Sequence, residues 1–294
     1  MKYLSSKEVA SIIGCNESTI RRWTDKGFIT CQKTAGGHRY FTLQDIRAYY
    51  KKNNNLGKKT KLASSKKSLD KIYQLINDSK HKDLSILLAK SSIISDEIST
   101  NNIITHLYLY GNSVELIFDQ IIEKSLDLIE SWLDKGVITH SEDYVARKLI
   151  TRYVESLCQN KPNGNYNGKN ALCINFEDNL PDIGVVMSEV VLRHQGYNVF
   201  NAGSHAELGD LAKMINTHKL DLMIFYLCDR QCCNAISSHN LSKTKKQISQ
   251  ISDISNDNDV KVLFGGSGYR QVEENKNKNI LSFLTYNDLL KFTI

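Results

Sequence analysis

Proline and long hydrophobic runs are both scarce in this 294-residue sequence. Pro162 and Pro181 are its two prolines. No run of about 18 apolar residues occurs, whereas a bilayer-spanning helix needs about 20. The N-terminal segment has no apolar signal core either, because Lys7 and Glu8 stand where that core would lie. We therefore expect no membrane association and a cytoplasmic protein.

Cysteine chemistry and catalytic motifs are also sparse. The seven cysteines are an odd number scattered along the chain, which argues against a disulfide framework. Cys228, Cys232 and Cys233 form one close group, whose spacing suits a metal or redox site. Without a second cysteine pair we interpret them as ordinary cysteines and predict no metal. No Ser-His-Asp set, phosphate loop or carboxylate pair stands out, so we predict that the protein is not an enzyme.

Positive charge is concentrated at the N-terminal end. The chain carries a net charge of +6. Residues 1–68 contain 15 Lys/Arg and 4 Asp/Glu, a net +11, which leaves −5 for the remainder. A basic head on a mildly acidic body predicts a polyanionic partner for the head alone.

The basic head begins with the signals of a short helix. Ser5 and Glu8 have the spacing of a capping box, and Gly14 is a suitable helix end. A second helix, capped by Asn16 or Ser18, should follow after this turn. Two helices joined by three or four residues form a helix-turn-helix, whose second helix enters the DNA major groove.

The second helix should separate an apolar face from a DNA-facing one. Ile20 and Trp23 are three residues apart and predict its inner face. Two short strands are expected at residues 28–30 and 38–41, with a glycine turn between them, and a third helix at 43–52. The predicted DNA-contacting residues are Ser18, Thr19, Arg21, Arg22, Lys26, His38, Arg39 and Tyr40.

The segments IRRWTDKGFI and GGHRYFTLQDI resemble the recognition helix and wing of the MerR family of bacterial regulators. The resemblance covers about residues 3–50. It implies a winged helix-turn-helix that binds double-stranded DNA in a sequence-specific transcription regulator, bacterial and nucleoid-associated. The family's long dimerising coiled coil does not follow the head, so a homo-oligomer (dimer or tetramer) must form through other parts. Because the family's activating mechanism needs that coiled coil, we expect a repressor.

The rest of the chain suggests a linker and two further domains, so the fold class is multidomain. With the head at 1–52, residues 53–68 form a basic linker that is too polar to bury a core. Residues 69–160 show helical periodicity that predicts a four-helix bundle, with a fifth helix left open. Residues 168–294 alternate strands and helices as in a flavodoxin-like (Rossmann-like) α/β domain. Strands are expected at 171–176, 197–200, 220–227, 260–266 and 280–284.

The end of the helical region resembles the module that precedes many cobalamin-binding domains. Trp132, Gly136 and Glu142 match that module's W…G…E-H pattern, which implies that they cap the upper face of the cofactor. Asp143 stands where the module has His. Glu130 stands where it usually has Gly, and Lys124 where it usually has Pro.

The α/β domain resembles a cobalamin-binding domain. The order of the three parts resembles that of the light-responsive cobalamin-dependent repressors of carotenoid genes. Aligned on Gly184, however, Asn179 replaces the acidic residue of the cobalt-binding loop and Pro181 replaces its axial His. Tyr226 replaces the Ser that faces the nucleotide tail, whereas the Gly265-Gly266 pair is retained.

The resemblance therefore implies a retained fold with altered ligand chemistry. We expect no cofactor, because Pro181 cannot ligate cobalt, and a sensory domain that acts through oligomerisation or contacts with a regulatory protein. One alternative is a ligand-gated sensor-repressor. Its ligand would be cobalamin bound without a protein His, or else haem or another small molecule. The other alternative is a relative of corrinoid-dependent enzymes. The candidate pocket residues are Trp132, Glu142, Asp143, Asn179, Pro181, Gly184, Tyr226, Gly265 and Gly266.

Overall fold

The computed structural model divides the chain into two compact units, Met1–Ser125 and Leu126–Ile294. The structure describes residues 3–52, 67–158, 166–175, 183–203, 208–227, 229–230, 240–272 and 280–293. Residues 53–66 of the predicted linker lie outside these ranges, and the predicted domain limits stay predictions. Among the described residues, no helix is long and apolar enough to cross a membrane.

The first unit opens with three helices and a small antiparallel sheet. The helices are α1 (Ser6–Ile13), α2 (Glu17–Asp25) and α3 (Leu43–Lys52). The strands β1 (Leu4–Ser5), β2 (Gln32–Lys33) and β3 (Arg39–Phe41) are arranged in the order β1-β3-β2. The predicted capping box starts α1, since the Ser5 amide donates to the Glu8 carboxylate over 2.8 Å. Gly14 ends α1 at a φ of 76°, which glycine adopts readily.

The predicted strand at residues 28–30 is wrong. The Phe28 amide bonds back to the Trp23 carbonyl, so these residues continue the turn that ends α2. Ile29 is buried there as a core residue. Apolar character at this place reflects packing under the turn, and the strand that pairs with β3 begins later, at Gln32.

Six helices with short turns follow within the described residues, which confirms a helical middle region. They are α4 (Lys67–Asn77), α5 (His81–Ile93), α6 (Glu97–Leu109), α7 (Val114–Ile117), α8 (Glu123–Asp134) and α9 (His140–Glu155). A π-helical turn, Phe118–Ile122, joins α7 to α8. The boundary between the two units falls inside α8. The prediction of four helices in one bundle stays a prediction.

The second unit contains a five-stranded parallel sheet. Its strands are β4 (Asn170–Ile174), β5 (Asn198–Gly203), β6 (Leu222–Tyr226), β7 (Lys261–Gly265) and β8 (Ile280–Phe283). Their order is β5-β4-β6-β7-β8, the flavodoxin-like arrangement. Between them lie α10 (Ile183–His194), α11 (Leu208–His218) and α12 (Leu241–Asn258), and α13 (Tyr286–Leu290) follows β8. The sequence-based prediction of a parallel α/β domain is confirmed.

Helices cover both faces of this sheet. Phe225 of β6 belongs to a buried cluster with Leu211 of α11 and Ile251 of α12. Successive side chains of a strand point to opposite faces, so the neighbouring Tyr226 points the other way. On that side α10 packs against β4, β5 and β6, and against α9 and α13. The core therefore lies in two layers, one on each side of the strands.

Candidate functional site

The second helix of the head presents a polar face to solvent. Ile20 is fully buried, and the Trp23 ring stacks on Tyr49 with centroids 5.2 Å apart. These contacts turn the opposite side of α2 outward. Of the residues predicted to contact DNA, Ser18, Arg21, Arg22, Lys26 and His38 are exposed, whereas Thr19, Arg39 and Tyr40 are half-buried.

The cations of this face differ in their partners. Arg21 forms a salt bridge with Glu17 one helical turn away, at 2.7 Å, in which Arg21 is exposed and Glu17 is half-buried. Arg39 of β3 forms a 2.5 Å salt bridge with Asp25, the last residue of α2. Arg22 and Lys26 form no ion pair within the described part of the chain. They are the cations whose charge is most available to an anionic partner.

Strands β2 and β3 form a hairpin, residues 32–41, beside α2. The Thr34 amide donates to the His38 carbonyl at its tip. Gly37 lies at a φ of 78°, as expected for the glycine of a tight turn. Tyr40 packs edge-on against Tyr3, with centroids 4.7 Å apart. The exposed His38 therefore stands on a hairpin fixed at its base.

Arg47 joins the head to the helical region of the same unit. Its guanidinium lies over the Tyr108 ring at 4.3 Å from the centroid, and it donates a 3.1 Å hydrogen bond to the Gly111 carbonyl. A cation over an aromatic face is stabilised by the ring quadrupole. Sequence reasoning missed this contact, because 61 positions separate Arg47 from Tyr108 and no local pattern connects them.

The strand order of the sheet in the second unit reverses between β4 and β6, which makes this place its topological switch point. In open α/β sheets, ligands bind beyond the strand carboxyl ends at this switch point. Here Gly184, in the first turn of α10, lies against the ring of Tyr226 at the end of β6. A Cβ atom at Gly184 would come within 2.2 Å of the Tyr226 Cδ1 atom. The ring thus occupies the space that a glycine would otherwise leave for a ligand.

Two further aromatic residues complete this packing. Tyr286 stacks on Tyr226 with centroids 6.1 Å apart, and its hydroxyl donates to the Gly184 carbonyl over 3.3 Å. Phe283 lies against Gly265, where a Cβ atom would meet its ring at 2.3 Å. We call Tyr226, Phe283 and Tyr286 the ring cluster. No motif in the sequence indicates that Phe283 and Tyr286 belong to this site.

Gly266 has a structural role that requires no ligand. Its φ is 89°, and a Cβ atom there would meet the Leu227 carbonyl oxygen at 2.1 Å. The structure therefore brings together Gly184, Tyr226, Gly265 and Gly266. Each of the three glycines is covered by the chain's own atoms.

The helical residues assigned to this site have other partners. Glu142 completes a capping box with Thr139, accepting from its amide at 2.7 Å and its hydroxyl at 2.8 Å. These hydrogen bonds, the backbone one first, lower the pKa of the Glu142 carboxyl. Trp132 is half-buried near the end of α8. The Thr-x-x-Glu spacing from Thr139 to Glu142 is a capping signal that a sequence can show, and it explains Glu142 without a ligand.

Asp143 belongs to a buried ion cluster. Arg147, fully buried on α9, donates from Nε to Asp143 at 2.7 Å and from Nη2 to Glu130 of α8 at 2.6 Å. Two of the three positions at which the sequence departs from the helical cobalamin module, Asp143 and Glu130, are thus bound to one arginine. The i, i+4 spacing of Asp143 and Arg147 was a detectable signal, but nothing local pointed to Glu130.

Several predicted site residues lie outside the described residues. They are Asn179, Pro181, Cys228, Cys232 and Cys233. Within the described ranges, no group of three or more His, Cys, Asp or Glu residues is arranged to hold a metal ion. Burial raises the pKa of the Cys158 thiol to about 12, which leaves this cysteine protonated at neutral pH.

Comparisons with known proteins support the helix-turn-helix head and the fold of the α/β sheet. Residues 3–54 match the family model described as a helix-turn-helix domain. No curated protein matches the chain. Among solved structures, the monomethylamine corrinoid protein of Methanosarcina barkeri superposes with a TM-score of 0.53 at 12% identity, covering 71% of this chain and 96% of its own. This likeness shows the fold.

Two weaker superpositions have a TM-score of 0.33. The methanol:cobalamin methyltransferase complex of Methanosarcina barkeri is 16% identical, over 83% of this chain and 89% of its own. A cobalamin-binding protein of Desulfitobacterium hafniense is 14% identical, over 76% and 96%. The family match identifies residues 3–54 as a DNA-binding helix-turn-helix domain. The superposition with a TM-score of 0.53 shows that the C-terminal sheet has the Rossmann-like fold found in a corrinoid protein.

Proposed function

We propose that this protein is a sequence-specific transcription regulator of the MerR class that represses by occupying promoter DNA. The observation that carries the proposal is the exposed face of α2 within a matched helix-turn-helix domain. Arg22 and Lys26 on this face have no competing carboxylate in the described part of the chain. Free cations on a recognition helix are what phosphate and guanine contacts need.

In this proposal α2 enters the major groove with Ser18, Thr19, Arg21 and Arg22 towards the base edges. The hairpin, residues 32–41, acts as the wing. His38 and Tyr40 contact the flanking backbone, and Lys26 contacts phosphate. Each phosphate contact releases counterions, so binding weakens steeply as salt rises. The protein acts as a homo-oligomer, a dimer or tetramer, because paired heads read paired half-sites.

We further propose that the α/β unit regulates without cobalamin. Cobalamin does not fit at the switch point, because the chain's own atoms cover the glycines there. Tyr226, Phe283 and the Leu227 carbonyl lie against Gly184, Gly265 and Gly266. A nucleotide tail would have to displace the ring cluster. The unit then acts through oligomerisation or through contacts with a regulatory protein, and it has no enzymatic role.

A gel-shift experiment with genomic fragments tests the DNA-binding part. The wild type should retain a subset of fragments at about 150 mM salt, conditions in which non-specific binding is weak. The Arg22→Ala variant should bind these fragments about 10- to 100-fold more weakly, because one base or phosphate contact is lost. Lys7→Ala, which removes an exposed charge from α1, is the matched control. Equal binding by wild type and Arg22→Ala would reject the assignment of α2.

A further inference from the structure

Arg39 differs from the other cations of the predicted DNA-binding surface in being mostly buried. Its side chain is 19% exposed, whereas that of Arg21 is 60% exposed. Its Nη2 donates to Asp25 at 2.5 Å, and its Nε is buried without a hydrogen-bond partner in the described residues. A guanidinium in this position has little surface to offer to a phosphate.

Asp25 occupies an unfavourable place unless it has a partner. It is the last residue of α2, where the negative end of the helix dipole disfavours a carboxylate. The guanidinium of Arg39 offsets that repulsion. The pair spans 14 positions and connects the end of α2 to β3, which runs antiparallel to β2 in the hairpin.

We infer that Asp25 and Arg39 are positioning residues, whose ion pair fixes the hairpin at the angle to α2 that lets both contact DNA together. This inference rests on the proposed DNA-binding function. Without the pair, the hairpin still forms through its own hydrogen bonds, but it opens more often and moves relative to α2. Arg39 therefore contributes to binding through geometry, and the phosphate contacts come from its exposed neighbours.

The sign of the Asp25→Asn effect separates this role from direct contact. A positioning pair predicts binding that is weaker by up to about fivefold, the range of an ion pair in which one partner is exposed, as Asp25 is. Direct phosphate contact by Arg39 predicts the opposite, because removing a carboxylate near DNA strengthens binding. Arg39→Gln should weaken binding as much as Asp25→Asn does, and the double variant should be no worse than either single variant.

The salt dependence of the same binding curves gives a second criterion. Loss of a phosphate contact lowers the slope of log K against log salt by about one unit, and loss of positioning leaves it unchanged. Arg39→Gln should therefore keep the wild-type slope, whereas Lys26→Gln should reduce it. Tighter or unchanged binding by Asp25→Asn, or a reduced slope for Arg39→Gln, would overturn the inference.

Hydrogen exchange of the full chain tests the pair without DNA. Asp25→Asn and Arg39→Gln should both speed exchange of the Thr34 amide, which bonds to the His38 carbonyl in the hairpin. The Gly14 amide, bonded to Ala10 at the end of α1, should be unaffected. Unchanged exchange of Thr34 in both variants would contradict the positioning role. If the wild type bound no DNA while exchange changed as expected, the proposed function would fail and the hairpin constraint would stand.

Discussion

The head and the α/β sheet differ in how exposed their predicted functional residues are. In the head, most of the side chains expected to meet a partner face solvent, as Arg22 and Lys26 do. In the sheet, the glycines expected to admit a ligand are covered by Tyr226 and Phe283. Sequence resemblance to a known family thus accompanies an open surface in one region and a filled crevice in the other. Resemblance predicts a fold in both, but it predicts chemistry only where the side chains leave room for it.

The largest expected effect concerns the interior of the second unit. Arg147→Met should lower its free energy of unfolding by about 3–5 kcal/mol, because Asp143 and Glu130 lose their shared buried partner. The chain has two tryptophans, so Trp132 fluorescence in a Trp23→Phe background reports this unit alone. Denaturant titration followed by that signal gives the free energy.

Arg152→Met is the matched control for this change. It removes an exposed arginine from the same helix and should alter stability by less than about 0.5 kcal/mol. If the two variants were equally stable, the buried ion cluster of Arg147, Asp143 and Glu130 would not stabilise the second unit.

The free energy of unfolding of the first unit should fall in acid, because His106 is buried there. Burial lowers the pKa of His106 to about 4, while its ordinary value is about 6.5. Between these values the unfolded chain binds more protons, so stability is full above pH ~6.5 and falls as the pH drops towards 4. The expected loss reaches about 3 kcal/mol. Trp23 fluorescence in a Trp132→Phe background measures it.

The His106→Gln variant should lose this part of the pH dependence. His81→Gln, which removes a less buried histidine from the same unit, should keep it. A wild-type curve that stayed flat between pH 6.5 and 4 would mean that His106 is not held neutral beside Tyr73, to whose hydroxyl it is hydrogen-bonded.

The ring cluster gives a prediction of intermediate size. Gly184→Ala should lower the free energy of unfolding of the second unit by about 1–3 kcal/mol, since its Cβ would overlap the Tyr226 ring. The double variant Gly184→Ala/Tyr226→Ala should be more stable than the sum of the single effects predicts. Gly209→Ala in α11, which has no atom within 4 Å of its Cβ position, should be neutral or slightly stabilising. Additive effects of the two crevice changes would mean that the crevice is open.

The smallest effect should come from the Glu17–Arg21 pair on the open face. Glu17→Gln releases Arg21 and removes a carboxylate, so DNA binding should tighten by about twofold, the scale of an exposed i, i+4 pair. Glu97→Gln removes the same charge from α6 and should leave affinity unchanged. Weaker binding by Glu17→Gln would indicate that the salt bridge orients Arg21 on the DNA.

Local signals in the sequence predicted most of the fold. The cap formed by Ser5 and Glu8, the turn at Gly37 and all five parallel strands followed from short patterns, because each depends on neighbouring residues. The strand predicted at residues 28–30 failed because burial of Ile29 gives the same apolar signal as a strand.

The sites were less predictable, since their decisive contacts span long stretches of chain. The sequence shows Tyr226 in the place of a smaller Ser, but its neighbour Tyr286 lies 60 residues further on. Arg39 was assigned to DNA from a pattern that cannot show Asp25 beside it. A motif identifies which residue types are present, whereas their partners depend on tertiary packing.

The most direct test of the central claim is the visible absorption spectrum of the purified wild type after incubation with cobalamins and gel filtration. The filled switch point predicts that the protein emerges without corrinoid absorption and binds promoter fragments with the same affinity before and after incubation. A stoichiometric corrinoid spectrum that travels with the protein, or an affinity that changes with cobalamin, would contradict the account.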